Sequence, residues 1–281
     1  MTGVHRRGLL ALGLAGAGAA GLAQAAPDVA RPVGLTPQTT EGPYYRPNPP
    51  VRADITEGLP GAPLDMRFVV RDPAGAPLPG ARVDIWHCDA AGRYSGFASA
   101  PGREPDAAQK AATYLRGVQT TDAQGAALFH TVYPGWYAGR TTHIHFKVWQ
   151  GDRAVLTCQL FLPDALSEFL YTQVPAYKRR RLRDTLNRTD GIAIMAGERT
   201  LGSIREAGDR YLASLAVAVD PAAHPLIDRP PAPGPHPLGR RPPGPPPPGL
   251  PPLPPGGPHR RAPLAGEARI EALLPGKAPL G

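Results

Sequence analysis

The sequence predicts an all-β protein: an antiparallel β-sandwich core with an irregular N-terminal lead-in, one or two short helices and a disordered Pro-rich C-terminal tail. Three observations carry that expectation. Short β-rich runs follow one another between turn signals. No strand–helix–strand alternation joins them, which argues against a parallel sheet. The prolines, 38 of 281 residues, crowd toward the two ends.

Residues 26–60 are the lead-in, broken by Pro27, Pro32, Pro37, Pro43, Pro47, Pro49 and Pro50. Met66–Val70 reads as the first strand, closed by the turn residues Asp72-Pro73-Ala74-Gly75. Pro79-Gly80 turns the chain into Ala81–Trp86. There Val83, Ile85 and His87 share one face, and Asp84, Trp86 and Cys88 the other. Gly117–Thr121, the turn Asp122–Gly125 and Ala127–Val132 form a further pair, and His143–Trp149 and Val155–Leu162 complete the set. Residues 164–186 carry a helical apolar stripe of Leu166, Phe169 and Leu170. Beyond about Pro221 the composition becomes polyproline-like, with a weakly helical piece from Gly266 to Leu274.

The domain organisation follows: residues 1–25 as a leader, 26–220 as the sandwich, 221–281 as the tail. Arg6-Arg7, an apolar run to about Leu22 and the small-x-small site Ala23-Gln24-Ala25 read as a twin-arginine export signal. A periplasmic or extracellular protein without a membrane span in its mature form is expected. In that compartment Cys88 and Cys158 are equally compatible with one disulfide or with two buried thiols. The net charge of +8 is spread over the leader, the Lys178–Arg183 run and the tail. No aromatic-interleaved basic stripe accompanies it, so nucleic acid is not an expected partner.

The strongest chemical signal is His143-Ile144-His145. On a strand, two imidazoles at i and i+2 reach one metal ion from the same side. Alone, such a pair is as readily structural. Its context is more telling: Tyr133-Pro134-Gly135-Trp136-Tyr137-Ala138-Gly139-Arg140 delivers a tyrosine and an arginine beside the pair, and the loop Asp89–Gly96 presents Tyr94. His87 and His130 read as core or surface residues, and Trp86 as core.

These pieces, in this order, resemble the intradiol ring-cleavage dioxygenases, the family of protocatechuate 3,4-dioxygenase. The resemblance rests on Asp84-Ile85-Trp86-His87-Cys88-Asp89-Ala90-x-Gly92-x-Tyr94, Pro134-Gly135-x-Tyr137, Arg140-x-x-His143-Ile144-His145-Phe146, Leu156–Phe161 and the lead-in Thr40-Glu41-Gly42-Pro43-Tyr44-Tyr45. It spans roughly residues 38–200. It implies one Fe(III) per site, with Tyr94, Tyr137, His143 and His145 as ligands and O2 as co-substrate. It also implies cleavage of a catechol-type ring between its hydroxyls to a muconate-type diacid. Phenolate is a hard, charged donor suited to a ferric ion. By position Tyr137 would leave the metal and take a substrate proton, Arg140 would stabilise developing negative charge, and Gln159 would orient the site. Tyr44, Tyr45 and Trp136 would line the substrate pocket.

Catechol and hydroxyquinol dioxygenases carry a helical N-terminal dimerisation domain, for which residues 26–60 are too short and too Pro-rich. The chain looks like the exported, single-chain variety of the protocatechuate type, in which a homo-oligomer is possible. Two other readings compete: a non-catalytic transthyretin-like β-sandwich binding module, and a Cu or Zn enzyme using only the two histidines. The choice among catechols and the role of the tail are open at this stage.

Overall fold

The computed structural model of the protein describes residues 34–98, 104–223 and 264–273. In chain order its strands are β1 (Pro63–Arg71), β2 (Arg82–Trp86), β3 (Arg116–Thr120), β4 (Ala126–Val132), β5 (His143–Gln150), β6 (Arg153–Phe161), β7 (Ser203–Ala207) and β8 (Arg210–Ala218). Four helices accompany them: α1 (Ala107–Ala111), α2 (Asp164–Gln173), α3 (Gly191–Ala196) and α4 (Gly266–Leu273). The strands form two four-stranded sheets, β4-β1-β8-β7 and β3-β2-β5-β6.

Period-two patterning builds the core. Val83 and Ile85 of β2, Ile144, Phe146 and Val148 of β5, and Leu156, Cys158 and Leu160 of β6 point inward. They meet Met66, Phe68 and Val70 of β1, Phe129 of β4 and Leu215 and Val217 of β8. Phe68 bridges the sheets, 4.8 Å from Phe146 and 6.2 Å from Phe129 between ring centroids. The alternate β5 residues, His143, His145 and Lys147, face away from this core yet are also buried. A second layer therefore covers the outer face of their sheet.

That layer is the lead-in. Thr36 exchanges hydrogen bonds with Ala218 at the end of β8. Gln38 and Thr39 bond to the edge strand β6 through Val155 and Thr157. The segment then crosses the sheet, and Val51 bridges Val118 of β3 at the opposite edge. Covering both edges in this way also satisfies backbone groups that would otherwise invite pairing with another chain.

The sandwich is as expected, with informative differences. One pair, β1 with β8, is parallel; every other ladder is antiparallel. The hairpin β7–β8 has no counterpart in the strand reading above. Its two-residue loop is Gly208-Asp209 with Gly208 at φ 64°, the glycine-first turn that matches strand twist. The helix expected over 164–186 stops at Gln173, because Pro175 forces Val174 into an extended conformation (ψ 123°). Phe169, expected to pack, is 53% exposed, and the buried residues are Ser167, Leu170 and Tyr171. Cys88 and Cys158 are both buried free thiols, so no disulfide joins them.

The leader and most of the Pro-rich tail lie outside the described residues. The helical piece expected from Gly266 to Leu274 is present as α4, and it packs on the domain. Its Arg269 is buried and pairs with both carboxylate oxygens of Glu168 on α2, each at 2.6 Å. Glu168 also accepts from Arg183, which is anchored on Asp164 at 2.6 Å. Among the described residues no helix is long and apolar enough to cross a membrane.

Candidate metal centre

The β5 register places His143 and His145 side by side on the outer face of the β3-β2-β5-β6 sheet, with His145 opposite Trp86 of β2 and Gln159 of β6. Their Nε2 atoms are 3.2 Å apart. Tyr137 arrives from the loop before β5, its hydroxyl 3.0 Å from His143 Nε2. Tyr94 arrives from the loop after β2, its hydroxyl 3.4 Å from the same nitrogen. Two imidazole nitrogens and two phenol oxygens from three segments thus converge on one point.

Hydrogen bonding fixes the chemistry of this cluster. His143 Nδ1 lies 2.6 Å from the Thr141 carbonyl, which only accepts, so Nδ1 carries the proton and Nε2 presents its lone pair to the cluster. His145 Nδ1 is buried without a hydrogen-bond partner. Its ring is fixed by stacking on Trp86, 5.0 Å away and 12° from parallel. One lone pair therefore faces three other polar atoms, a donor set whose chemistry fits a shared cation. Burial, with the Arg140 charge second, depresses His143 to about 3. Burial and neighbouring His143 hold His145 well below its ordinary range. Both are neutral at physiological pH. Burial raises both phenols, so an ion taking them as phenolates must displace their protons. The two phenols become hard, charged oxygen donors on losing their protons and so suit a hard ion, while the two imidazoles suit iron as well as zinc or copper. Among the described residues, no group of three or more His, Cys, Asp or Glu side chains is placed to hold a metal.

The remaining expected residues occupy distinct places. Arg140 gives Nη2 to Gln159 at 2.6 Å and Nε to Asp190 at 2.8 Å. Gln159 in turn donates to the Thr40 carbonyl, tying the lead-in to this group. Tyr44 stacks on Tyr94 with centroids 4.2 Å apart and meets Tyr137 edge-on at 6.2 Å, so it walls the cluster. Tyr45 leans on Trp86 and donates to Asp84 at 2.9 Å, one layer further out. Trp136, expected at the pocket, is instead buried in the main core with Arg179 over its ring. Trp86, expected as core, backs His145. His87 lies apart, its Nδ1 donating to the Cys88 carbonyl and its Nε2 accepting from Thr131. His130 is on the surface with Asp65.

Several supporting residues were not anticipated. Glu41 and Lys147 form a buried ion pair at 2.5 Å beneath the lead-in. Arg116, buried, ties Ser95 to the Tyr44 carbonyl and so joins the two segments whose tyrosines stack. Asp190 holds Arg140 and the Thr141 N–H. The signal for the first pair lay in register: Lys147 is two residues beyond His145, on the same face. Nothing local in the sequence assigns a role to the other two.

Comparison with known proteins agrees in extent. Residues 40–187 match a family model described as Dioxygenase. A catechol 1,2-dioxygenase 2 of Acinetobacter lwoffii is 32% identical over 185 residues, covering 56% of this chain and 64% of that protein. A catechol 1,2-dioxygenase of Acinetobacter baylyi is 28% identical over 221 residues, 69% of this chain and 67% of that one. The chain thus spans about two thirds of the length of these relatives. Among solved structures, an intradiol ring-cleavage dioxygenase from Tetranychus urticae superposes with a TM-score of 0.63 at 29% identity, covering 69% of this chain and 98% of that one. The dioxygenase domain of a carbohydrate-binding fusion from Streptomyces sp. SirexAA-E gives 0.50 at 31%, over 67% and 99%.

Proposed function

The chain belongs to the intradiol ring-cleavage dioxygenases, and on that premise we propose that it opens a catechol-type ring between its two hydroxyls with O2, yielding a muconate-type diacid. The observation that carries this reading is the convergence of Tyr94, Tyr137, His143 and His145 within hydrogen-bonding distance of one nitrogen in a buried site. These four would hold one Fe(III). When bound, the ferric ion would supply the electron-withdrawing centre that makes a catecholate reactive toward O2.

The chain's own groups divide the remaining work. Tyr137 is only partly shielded, whereas Tyr94 is 4% exposed. With its proton displaced by a bound ion, Tyr137 Oη would accordingly be the site that takes up a proton from an incoming catechol hydroxyl, while Tyr94 would stay as a fixed donor. Arg140 has Nε and Nη2 committed to Asp190 and Gln159, which holds its plane and leaves the guanidinium edge to face negative charge developing on the ring. Its field already registers on Tyr94, Tyr137, His143 and His145. Tyr44 offers an aromatic wall, and the lead-in above it excludes water from the outer face. In this reading residues 1–25 direct export of the protein.

The test is the visible spectrum and metal content of the purified protein, with and without catechols under nitrogen, followed by oxygen uptake. A tyrosinate-to-iron band that shifts with catechol, and stoichiometric oxygen consumption on admitting air, are expected. A protein that takes up no iron and gains no colour on reconstitution would refute the reading in favour of a binding module.

A further inference from the structure

We propose that Asp190 is the positioning residue for Arg140, its buried carboxylate fixing the guanidinium through an ion pair and also anchoring the start of the histidine strand. The inference rests on the functional reading above only for the role of Arg140; the pairing itself stands on geometry.

Asp190 is 2% exposed and its two carboxylate oxygens have separate tasks. Oδ2 accepts from Arg140 Nε and from the Thr141 N–H, both at 2.8 Å. Oδ1 caps α3, accepting from Ile192 and Ala193 N–H at 2.9 and 3.2 Å. One carboxylate therefore ties a helix begun after residue 190 to the arginine and to the residue whose carbonyl orients His143. The same segment grips this loop again: Asp184 accepts from Gly139 N–H, and Asn187 accepts from the Thr141 hydroxyl. Gln159 takes Arg140 Nη2 from the other side. An arginine on a loop between Gly139 and Thr141 would otherwise sample many rotamers, and a planar group held at two nitrogens samples one. Pairing with a buried carboxylate also leaves the Arg140 site with no net charge, which a lone arginine there would not have.

The chemistry of the side chain suggests the test. In Asp190→Asn an amide oxygen can keep the α3 cap, while the NH2 group faces two N–H donors. Asp190→Ser keeps a good capping residue and removes the partner of Arg140 Nε, leaving only Gln159 on Nη2. In heteronuclear NMR of the full chain, loaded with diamagnetic gallium(III) or as purified if it takes up no trivalent metal, the Arg140 Nε–H is expected as a slowly exchanging signal. It is identified by its absence in Arg140→Ala and is expected to be lost in both Asp190 variants. With iron, kcat is expected to fall about 10- to 100-fold, with the iron–tyrosinate band unmoved and anaerobic catechol binding little changed. In an Arg140→Ala background, Asp190→Ser should add less than about a twofold further loss, because the two act as one unit.

An Arg140 Nε–H that stays protected in Asp190→Ser overturns the proposal. So do multiplicative losses in the double variant, which would mean that Asp190 acts through the fold and not through Arg140. Should the wild type show no ring cleavage, the functional reading falls, and the NMR signal still decides the pairing.

Discussion

Gly42 offers the sharpest connection between backbone and the proposed metal centre. It sits at φ +74°, and a Cβ placed there would lie 3.2 Å from His145 Cε1. The imidazole cannot retreat freely, because Trp86 stacks on it. Gly42→Ala therefore has two costs. The left-handed conformation costs about 1–2 kcal/mol for a residue with a Cβ, which corresponds to a fall in Tm of roughly 2–8 °C for a domain of this size. The contact displaces His145 by a few tenths of an ångström from its ligand position. Gly58 separates the two, since its φ is +70° with nothing within 4 Å of a Cβ. Both alanine variants should lose similar thermal stability as metal-free proteins. Only Gly42→Ala should lose iron affinity, by about 10- to 100-fold, the usual effect of disturbing a ligand's support. Thermal melts and competitive iron titrations make the comparison. Equal iron affinity in the two variants would refute the claim that the lead-in sets the His145 position.

Other expectations follow from the same contacts. Arg140→Lys cannot bridge Asp190 and Gln159 together, so kcat should fall about 10- to 100-fold while iron content is retained, read by steady-state kinetics alongside metal analysis. Burial depresses His87 from 6.5 to about 4, so the unfolded chain gains a proton across that interval and the folded chain does not. Stability is full above pH 6.5 and declines as the pH falls, by about 3 kcal/mol at pH 4; urea melts of His87→Gln should show a correspondingly flatter pH profile. Arg269→Ala leaves Glu168 with Arg183 alone. With the Glu168 side chain 15% exposed and still paired with Arg183, a loss of about 1–2 kcal/mol is expected, with α4 amides losing hydrogen-exchange protection while the sandwich keeps its own.

The legible parts of this chain are those written in short-range patterns. Six strands declared themselves by alternation between turns, and the two tyrosines, the arginine and the two histidines stood within runs whose order resembled one family. What escaped depends on distant register. The Ala-rich β8 lacks the β-branched density of a strand, and only the Gly208-Asp209 turn hinted at its hairpin. Phe169 occupied an apolar stripe that the break at Pro175 left without a partner to pack against. Trp136 is adjacent to Tyr137 in sequence but points to the opposite side of the loop, a choice no local pattern encodes. Asp190 and Arg116 act on residues about 50 and 72 positions away, and a single sequence carries no mark of such pairings.

The parallel pairing of β1 with β8 has a consequence for assembly. Its partners, such as Leu64 with Tyr211, lie nearly 150 residues apart, and Thr36 reaches Ala218 across 182. Contacts of such long sequence separation are entropically slow to form. The first sheet is incomplete, and the lead-in lacks its anchor at Thr36, until the last strand of the domain is in place. A chain interrupted before Arg210 would hold all four proposed ligands and the contacts of the lead-in with β6 and β3, yet lack Leu215 and Val217 of β8, which complete the core beneath them. Truncation there would leave the proposed site covered and its supporting core open.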